Sequence, residues 1–452
     1  MQNSILNGKT YFIRTFGCQM NLHDSERVSG LLDSLGCLEV SGPEDADIVI
    51  FMTCCVREAA DTRLYGQCSS CKSLPAPPSG RRVVAVGGCI AQRDGEGLLK
   101  NLDNVDVVFG TDSIAHVGDL IADVFESGGS RVRCIEGDTG VATDMPWHRA
   151  TSYHAWVPIM TGCNNFCSYC IVPYVRGREK SRSFEQIVDE VTGLVRAGVR
   201  EITLLGQNVN SYGRDSFGSP RFAELLRAVG ETGVERIFFT SSHPKDLLPE
   251  TIDAMAEVPS VMPQLHLAVQ SGSNRILKLM NRKYTREHYL DLIERVRGRI
   301  PDIALSTDII VGFPGETEED FEQTISLAQE ARYAQAFTFI YSKRAGTPAA
   351  EMPDDTPREV ILERFNRLVK VVEGTAYDFN QKDLHTKVPM LIEGTSKKDP
   401  GMLQGKSPKN QTVHAPVPAG ANPAELLGRI VDVEVDTAKT WYLSGSIVGD
   451  MR

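Results

Sequence analysis

No run of apolar residues in this chain is long enough to cross a bilayer. The first residues, Met1-Gln2-Asn3-Ser4, lack the basic and apolar regions of a signal peptide. The expectation is therefore a cytoplasmic protein with no membrane partner. An excess of positive charge is also missing. The formal net charge is −11, which speaks against a general polyanion binder, although a local basic patch can still serve RNA. His243 and His266 lack the partner spacing of a metal site. The first reads as a turn residue before Pro244, the second as a strand residue that packs or hydrogen-bonds. What is present is an ordinary composition for a soluble globular protein, 41% apolar and 24% charged. At 452 residues the chain has room for two or three domains.

Cysteine is plentiful, at eleven residues. Without an export signal, that number argues for thiol chemistry rather than structural disulfides. Three of them lie in Gly162-Cys163-Asn164-Asn165-Phe166-Cys167-Ser168-Tyr169-Cys170, spaced C-x3-C-x2-C. Three thiolates can hold three corners of a four-iron cubane and leave one iron open. The natural ligand for that iron is S-adenosylmethionine (SAM), through its amino and carboxylate groups. A zinc knuckle is the alternative, but zinc normally wants a fourth protein ligand, and no His or Cys follows closely. The loop, with Tyr169 just before its last cysteine, resembles the radical SAM superfamily.

The first third alternates apolar runs (Tyr11 to Phe16, Ile48 to Met52, Val83 to Val86, Val105 to Phe109) with helical stretches such as Ser25 to Leu35. This predicts a parallel α/β sheet. Cys18, Cys54 and Cys89 follow the first three runs, 36 and 35 residues apart. All three should leave the carboxyl edge of the sheet, where α/β folds place ligands, and they form a second candidate cluster set. The bland alternative is three thiols buried as small hydrophobes. Cys55 complicates the assignment. In extended chain it would face away from a cluster centred on Cys54, so Cys54 is preferred. Cys68 and Cys71, in a polar segment running into Pro75, Pro77 and Pro78, allow a zinc or redox role, but with no second pair nearby an exposed loop is preferred, while Cys37 and Cys134 read as ordinary residues.

Ser127 to Ala150 reads as a linker. Six further β-rich runs follow: Ala155 to Met160, Glu201 to Leu205, Arg236 to Thr240, Leu265 to Val269, Ile303 to Val311 and Ala336 to Tyr341. Each leads into a polar or Gly-rich loop, which predicts a partial (β/α)6 barrel with its site at the carboxyl face. Gln207 and Asn208, just past the second of these runs, are candidates to bind the methionine end of SAM. After Phe379 the pattern predicts a small C-terminal β-barrel. Between its runs lies a Gly/Pro/Lys stretch whose Lys397, Lys398, Lys406 and Lys409 read either as a solvated loop or as a phosphate-contacting surface.

Taken together, Phe16-Gly17-Cys18-Gln19-Met20-Asn21, Thr53-Cys54 with Val56-Arg57-Glu58, and Gly88-Cys89-Ile90-Ala91-Gln92 resemble the methylthiotransferase family. So do Arg176-Gly177-Arg178-Glu179-Lys180-Ser181-Arg182, Leu205-Gly206-Gln207-Asn208-Val209-Asn210 and the run from Ser306 to Glu316. The resemblance covers nearly the whole chain. It implies an N-terminal methylthiotransferase domain at 9–125, a radical SAM core at 149–381 and a TRAM-like RNA-binding domain at 382–450. It also implies two [4Fe–4S] clusters, one on Cys163, Cys167 and Cys170 and one on Cys18, Cys54 and Cys89, with SAM and no catalytic side chain beyond those ligands. The implied substrate is C2 of N(6)-isopentenyladenosine beside the anticodon of a tRNA. The implied second partner is a reducing flavodoxin- or ferredoxin-like protein.

Sister enzymes acting on threonylcarbamoyl-adenosine or a ribosomal-protein aspartate are the alternatives, and Gly17-Cys18-Gln19-Met20-Asn21 disfavours both. From another class, a non-catalytic iron–sulfur RNA-binding or sensor protein is opposed by the intact three-cysteine motif. Several residues depart from the family pattern: Cys55 in place of a small residue, Ala268 in place of a proline, the Cys68/Cys71 segment, and Lys406 where an arginine is usual. Lys406 keeps the charge but loses bidentate phosphate geometry.

Overall fold

The apolar runs become strands close to where their periodicity predicts. The structure is a computed structural model that describes residues 5–55, 58–77, 79–128, 131–134 and 146–449. By contact density the chain falls into two units. One holds Met1–Ala150, Met160–Phe166 and Cys170–Arg182, and the other holds Thr151–Ile159, Cys167–Tyr169 and Ser183–Arg452.

In the first unit, strands β1 (Thr10–Phe16), β2 (Leu38–Glu39), β3 (Ile48–Thr53), β4 (Val83–Gly88), β5 (Val107–Phe109) and β6 (Val132–Cys134) form one sheet in the order β2-β1-β3-β4-β5-β6. Every pairing is parallel. All six residues of β3 and of β4 are buried, because apolar clusters cover the sheet on both faces. β6 lies in the stretch expected to be a linker, most of whose remainder (129–130 and 135–145) is outside the described residues. The helix Gln19–Ser34 starts six residues before the predicted Ser25. Its first turns are polar, and that polar side (Asn21, His23, Asp24, Ser25, Arg27) is buried. Cys68 and Cys71 correct another expectation. Cys68 lies in the helix Glu58–Ser70 and Cys71 just after it, and both are buried among apolar neighbours rather than exposed in a loop.

Strand β7 (His154–Pro158) opens the second unit. The short antiparallel pair β8 (Met160–Thr161) and β9 (Lys180–Ser181) belongs to the first. β10 (Glu201–Leu205) and β11 (Arg236–Phe239) join β7 in parallel, and β12 (Gln264–His266), β13 (Ala304–Val311) and β14 (Gln335–Ile340) form a second parallel set. Parallel bridges Ile237↔Val261 and Ser242↔Leu267 link the two sets into the expected six-stranded partial barrel. The helix Arg358–Gln381 then leads to a closed five-stranded barrel. It is built from β15 (Lys387–Thr395), β16 (Met402–Lys406), β17 (Thr412–Pro416), β18 (Ile430–Ala438) and β19 (Tyr442–Val448), around Met390, Leu403, Val413, Val431, Val433 and Leu443. β16 and β17 occupy the Gly/Pro/Lys stretch that reads as a loop. Among the described residues, no helix is long and apolar enough to cross a membrane.

Candidate functional site

Phe16, Thr53 and Gly88 stand side by side in the register of β1, β3 and β4. Cys18, Cys54 and Cys89 follow within two residues, so the structure brings the three to one carboxyl edge. Cys18 caps the helix Gln19–Ser34, and Cys89 is the first residue of the helix Cys89–Asp94. Gly88 makes the tight turn between strand and helix at φ +89°, where a Cβ would press on the Thr53 backbone. Asn21 joins two of these strand ends. It accepts from the Cys18 thiol at 3.3 Å, and its amide donates to the Thr53 carbonyl at 2.9 Å. Cys18 is exposed, whereas Cys54 and Cys89 are buried.

The thiols interact with one another. A hydrogen bond from Cys54 lowers the pKa of Cys18 to about 6, with Arg176 adding to it. A hydrogen bond from Cys55 lowers Cys89 to about 7, against burial and with help from Arg176. Cys55 lies in an apolar cluster with Phe51 and Ile90 that does not include Cys54. β3 ends at Thr53 and the chain bends at Cys55, so the alternation of an extended strand does not extend to it.

Arg176 enters the sequence reading only as the start of a run that resembles the family, with no role of its own. Its Nε donates to Cys89 Sγ at 3.3 Å, and its terminal nitrogen reaches Asp24 Oδ2 at 2.8 Å, with both side chains under a tenth exposed. Against burial, Cys89 and Asp24 keep the guanidinium charged. Against burial, Arg176 and His23 hold the Asp24 carboxyl below the usual carboxylate range.

The C-x3-C-x2-C loop contributes Cys163 and Cys170 to the first unit and Cys167 to the second. On the Cys163 side, Gly162 sits at φ +74° where a Cβ would overlap the Arg178 carbonyl. The Cys163 amide donates to the Gly177 carbonyl at 3.1 Å, and Asn164 and Glu179 exchange hydrogen bonds of 3.2 and 3.4 Å. On the Cys167 side, Ser168 donates to the Met280 and Leu279 carbonyls at 3.0 and 2.8 Å. Buried Arg282 donates to Cys167 Sγ at 3.4 Å, to the Ala268 carbonyl at 2.6 Å and to the Tyr284 hydroxyl at 2.8 Å. Ala268 lies two residues past β12, so Arg282 ties Cys167 to the carboxyl edge of the partial barrel. Tyr169 packs with Ile276, Met280 and Phe313.

Gln207 and Asn208 lie just past the carboxyl end of β10. Asn208 donates to Asp246 Oδ2 at 2.7 Å, which leaves its own Oδ1 without a hydrogen-bond partner in the protein. Gln207 Oε1, both amide atoms of Asn210, Ser242 Oγ and the Tyr341 hydroxyl are likewise buried and unpartnered. Each such atom costs about 1–3 kcal/mol unless something bonds it. A polar, zwitterionic molecule such as SAM suits this collection at the ends of β10, β11 and β14. Among the described residues, no three His, Cys, Asp or Glu side chains stand close enough to share one metal ion. A cubane spreads its thiolates over separate irons, so the cysteine sets suit a cluster rather than a single zinc.

The four lysines are not equivalent. Lys397 and Lys398 are exposed in a turn. Lys406 Nζ bonds Thr412 Oγ1 at 3.1 Å, and Lys409 Nζ pairs with Asp383 at 2.8 Å. Lys406 and Lys409 also line a cavity of about 80 Å³ with Gln264, Ala304, Gln335 and Trp441. It lies at the amino ends of β12, β13 and β14, away from the unpartnered polar groups.

Three family models match the chain in order: Uncharacterized protein family UPF0004 over residues 10–110, Radical SAM superfamily over 157–328, and TRAM domain over 385–448. The radical SAM match implies a [4Fe–4S] cluster and SAM. The chain is similar in fold to the radical S-adenosylmethionine methyltransferase TsrM from Kitasatospora setae, with a TM-score of 0.54 and 13% identity over 76% of this chain and 74% of that one. Much closer in sequence are three proteins named tRNA-2-methylthio-N(6)-dimethylallyladenosine synthase. That of Acetivibrio thermocellus is 46% identical over 97% of this chain and 91% of its own length. That of Carboxydothermus hydrogenoformans is 44% identical over 97% and 99%, and that of Acidothermus cellulolyticus 49% over 90% and 82%. With such identity sustained along nearly its whole length, the chain belongs to the tRNA-2-methylthio-N(6)-dimethylallyladenosine synthase family of the radical SAM superfamily.

Proposed function

We propose that the protein methylthiolates C2 of N(6)-isopentenyladenosine at position 37, beside the anticodon of tRNA. The observation that carries this reading is the convergence of Cys18, Cys54 and Cys89 at one sheet edge, in a chain that also holds the C-x3-C-x2-C loop. Two cysteine sets suit a reaction that must both activate an aromatic C–H and deliver sulfur. When bound, two [4Fe–4S] clusters and SAM supply the electron, the hydrogen abstraction, the sulfur and the methyl group, none of which a side chain offers.

The chain's own part is to hold and orient. Cys163, Cys167 and Cys170 would ligate the cluster that binds SAM, and Cys18, Cys54 and Cys89 would ligate the second. Gln207 and Asn208 would take the polar end of SAM, with Asn210 and Ser242 as further donors and acceptors. Arg282 and Arg176 supply charge to one thiolate of each set. The domain limits that go with this reading are 9–125, 149–381 and 382–450. The last domain would hold RNA through its exposed lysines, and a base beside the anticodon would be splayed out of its loop to reach the site. A reducing flavodoxin- or ferredoxin-like protein in the cytoplasm would supply electrons.

The test is the mass of nucleosides in tRNA from cells lacking the protein. The expected result is loss of the methylthio product with the isopentenyl precursor retained. Return is expected with the wild-type chain but not with Cys18→Ala or Cys163→Ala. An unchanged methylthio product in the deleted strain would refute the assignment.

A further inference from the structure

We propose that Asp308 and Phe337 read the N6 side of the substrate base. The Asp308 carboxylate accepts its single N6–H, and Phe337 packs against the five-carbon group that N6 carries. This rests on the reading that the substrate is N(6)-isopentenyladenosine. β12, β13 and β14 turn successive side chains to opposite faces. On one face, Leu265, Leu305, Thr307 and Ile309 are at most 2% exposed. The helix Arg286–Arg299 covers that side, and its Tyr289 hydroxyl donates to the Leu267 carbonyl at 2.9 Å. The other face is open. There the Asp308 side chain is 30% exposed and Phe337 40%, and the two are partners in the register of β13 and β14.

A string of side chains leads to Asp308 along this face. Gln264 Nε2 donates to Ser306 Oγ at 3.2 Å, Ser306 Oγ lies 3.1 Å from His266 Nδ1, and His266 Nε2 lies 3.4 Å from Asp308 Oδ2. With Gln264 donating, the Ser306 proton goes to Nδ1 and the Nε2 proton to Asp308. The string ends on the carboxylate, whose Oδ1 has no hydrogen-bond partner among the described residues. A carboxylate only accepts, so whatever docks there must bring a donor. The rings of His266 and Phe337 meet edge to face at 6.0 Å, so that donor arrives beside an apolar wall. N6 of isopentenyladenosine presents that combination, one N–H and an apolar substituent on the same atom. Unpaired bases are read in this way, by edge hydrogen bonds and aromatic contact. The next residue of β13 on the same face, Ile310, packs with Tyr169 of the cysteine loop against one apolar cluster. It lies about 7 Å further along the strand. A base held by N6 leaves its C2 edge uncovered.

The test measures binding of anticodon stem-loop RNAs to the full chain with its clusters and SAM, without reductant. The modified position carries N(6)-isopentenyladenosine, N(6)-methyl-N(6)-isopentenyladenosine, which lacks the N–H, or N(6)-methyladenosine, which lacks the apolar group. Wild type should bind the first at least about tenfold tighter than either of the others. Asp308→Asn, of equal size, should erase the preference for the N–H and keep the preference for the isopentenyl group. Asp308→Ser takes its place if that variant loses its clusters. Phe337→Ala should do the reverse. Equal binding of all three RNAs by wild type, or preferences that survive both substitutions, overturns the inference. Reductant is then added to wild type with the first RNA. Methylthio product there keeps the proposed function even where the inference has failed, whereas its absence overturns both.

Discussion

Two buried arginines each donate to one cysteine, Arg176 to Cys89 and Arg282 to Cys167. A hydrogen bond to a cluster thiolate draws charge from it and raises the reduction potential. Arg282→Met should therefore lower the potential of the SAM-binding cluster. It should also leave the Ala268 carbonyl short of a donor, costing about 1–3 kcal/mol. EPR-monitored redox titration and urea unfolding check the two parts. An unchanged potential would show that the contact with Cys167 is incidental. The six cysteines could be found from spacing alone, because thiol chemistry leaves a linear signature. Their arginines could not, since a residue that donates across 87 or 115 positions has no local pattern.

At the level of elements, strand position was readable wherever both faces of a strand are buried. Glu201 to Leu205 matches to the residue, and all five of its residues are buried. β16 and β17 were missed because Gly405 reads as a turn. In the barrel it is a strand glycine on which the Leu391 backbone sits directly, leaving no room for a Cβ. Within β7, burial lowers the pKa of His154 to about 4 from 6.5, with Arg236 adding to the effect. The folded value lies below the unfolded one, so the unfolded chain binds the extra proton between them. The stability this neutral imidazole contributes is present above pH 6.5 and is lost as pH falls toward 4. His154→Gln should abolish that part of the pH dependence, up to about 2–3 kcal/mol. Urea midpoints of the cluster-free protein across that range measure it, and parallel curves for wild type and variant would exclude His154 as the source.

For the molecule as a whole, Arg236 is one of the residues that join the partial barrel to the five-stranded one, along with Arg200 and Tyr153. From β11 it donates to the carbonyls of Lys406 and Ser407 at 3.0 and 2.9 Å, and it lies 2.9 Å from buried Glu201. Arg236→Ala would strand that carboxylate, whose pKa burial already pushes up to about 7. The expected loss is about 3–5 kcal/mol, partly recovered in the double variant with Glu201→Gln. Calorimetry of wild type, the two single variants and the double variant decides, and additivity of the two changes would mean the pair does not interact. RNA binding should divide along the same lines as the lysines. Lys397→Ala with Lys398→Ala should flatten the salt dependence of tRNA affinity by about two units. Lys409→Ala, which breaks an internal pair with Asp383, should change the slope little. The reverse ranking, from filter binding over a range of salt, would place the RNA contact in the cavity with Trp441 instead.

The five-stranded barrel has a consequence for how the protein is made. β19 is the last of its strands in chain order, yet it lies between β17, which it pairs in parallel, and β18, which it pairs antiparallel. Until β19 has left the ribosome, both neighbours present a bare edge to the crowded cell. A chain stopped by a frameshift shortly before Tyr442 would carry its cysteines and its partial barrel intact. It would still keep two sticky strands open for pairing with other copies, so the cell would lose such a product to aggregation before any chemistry failed.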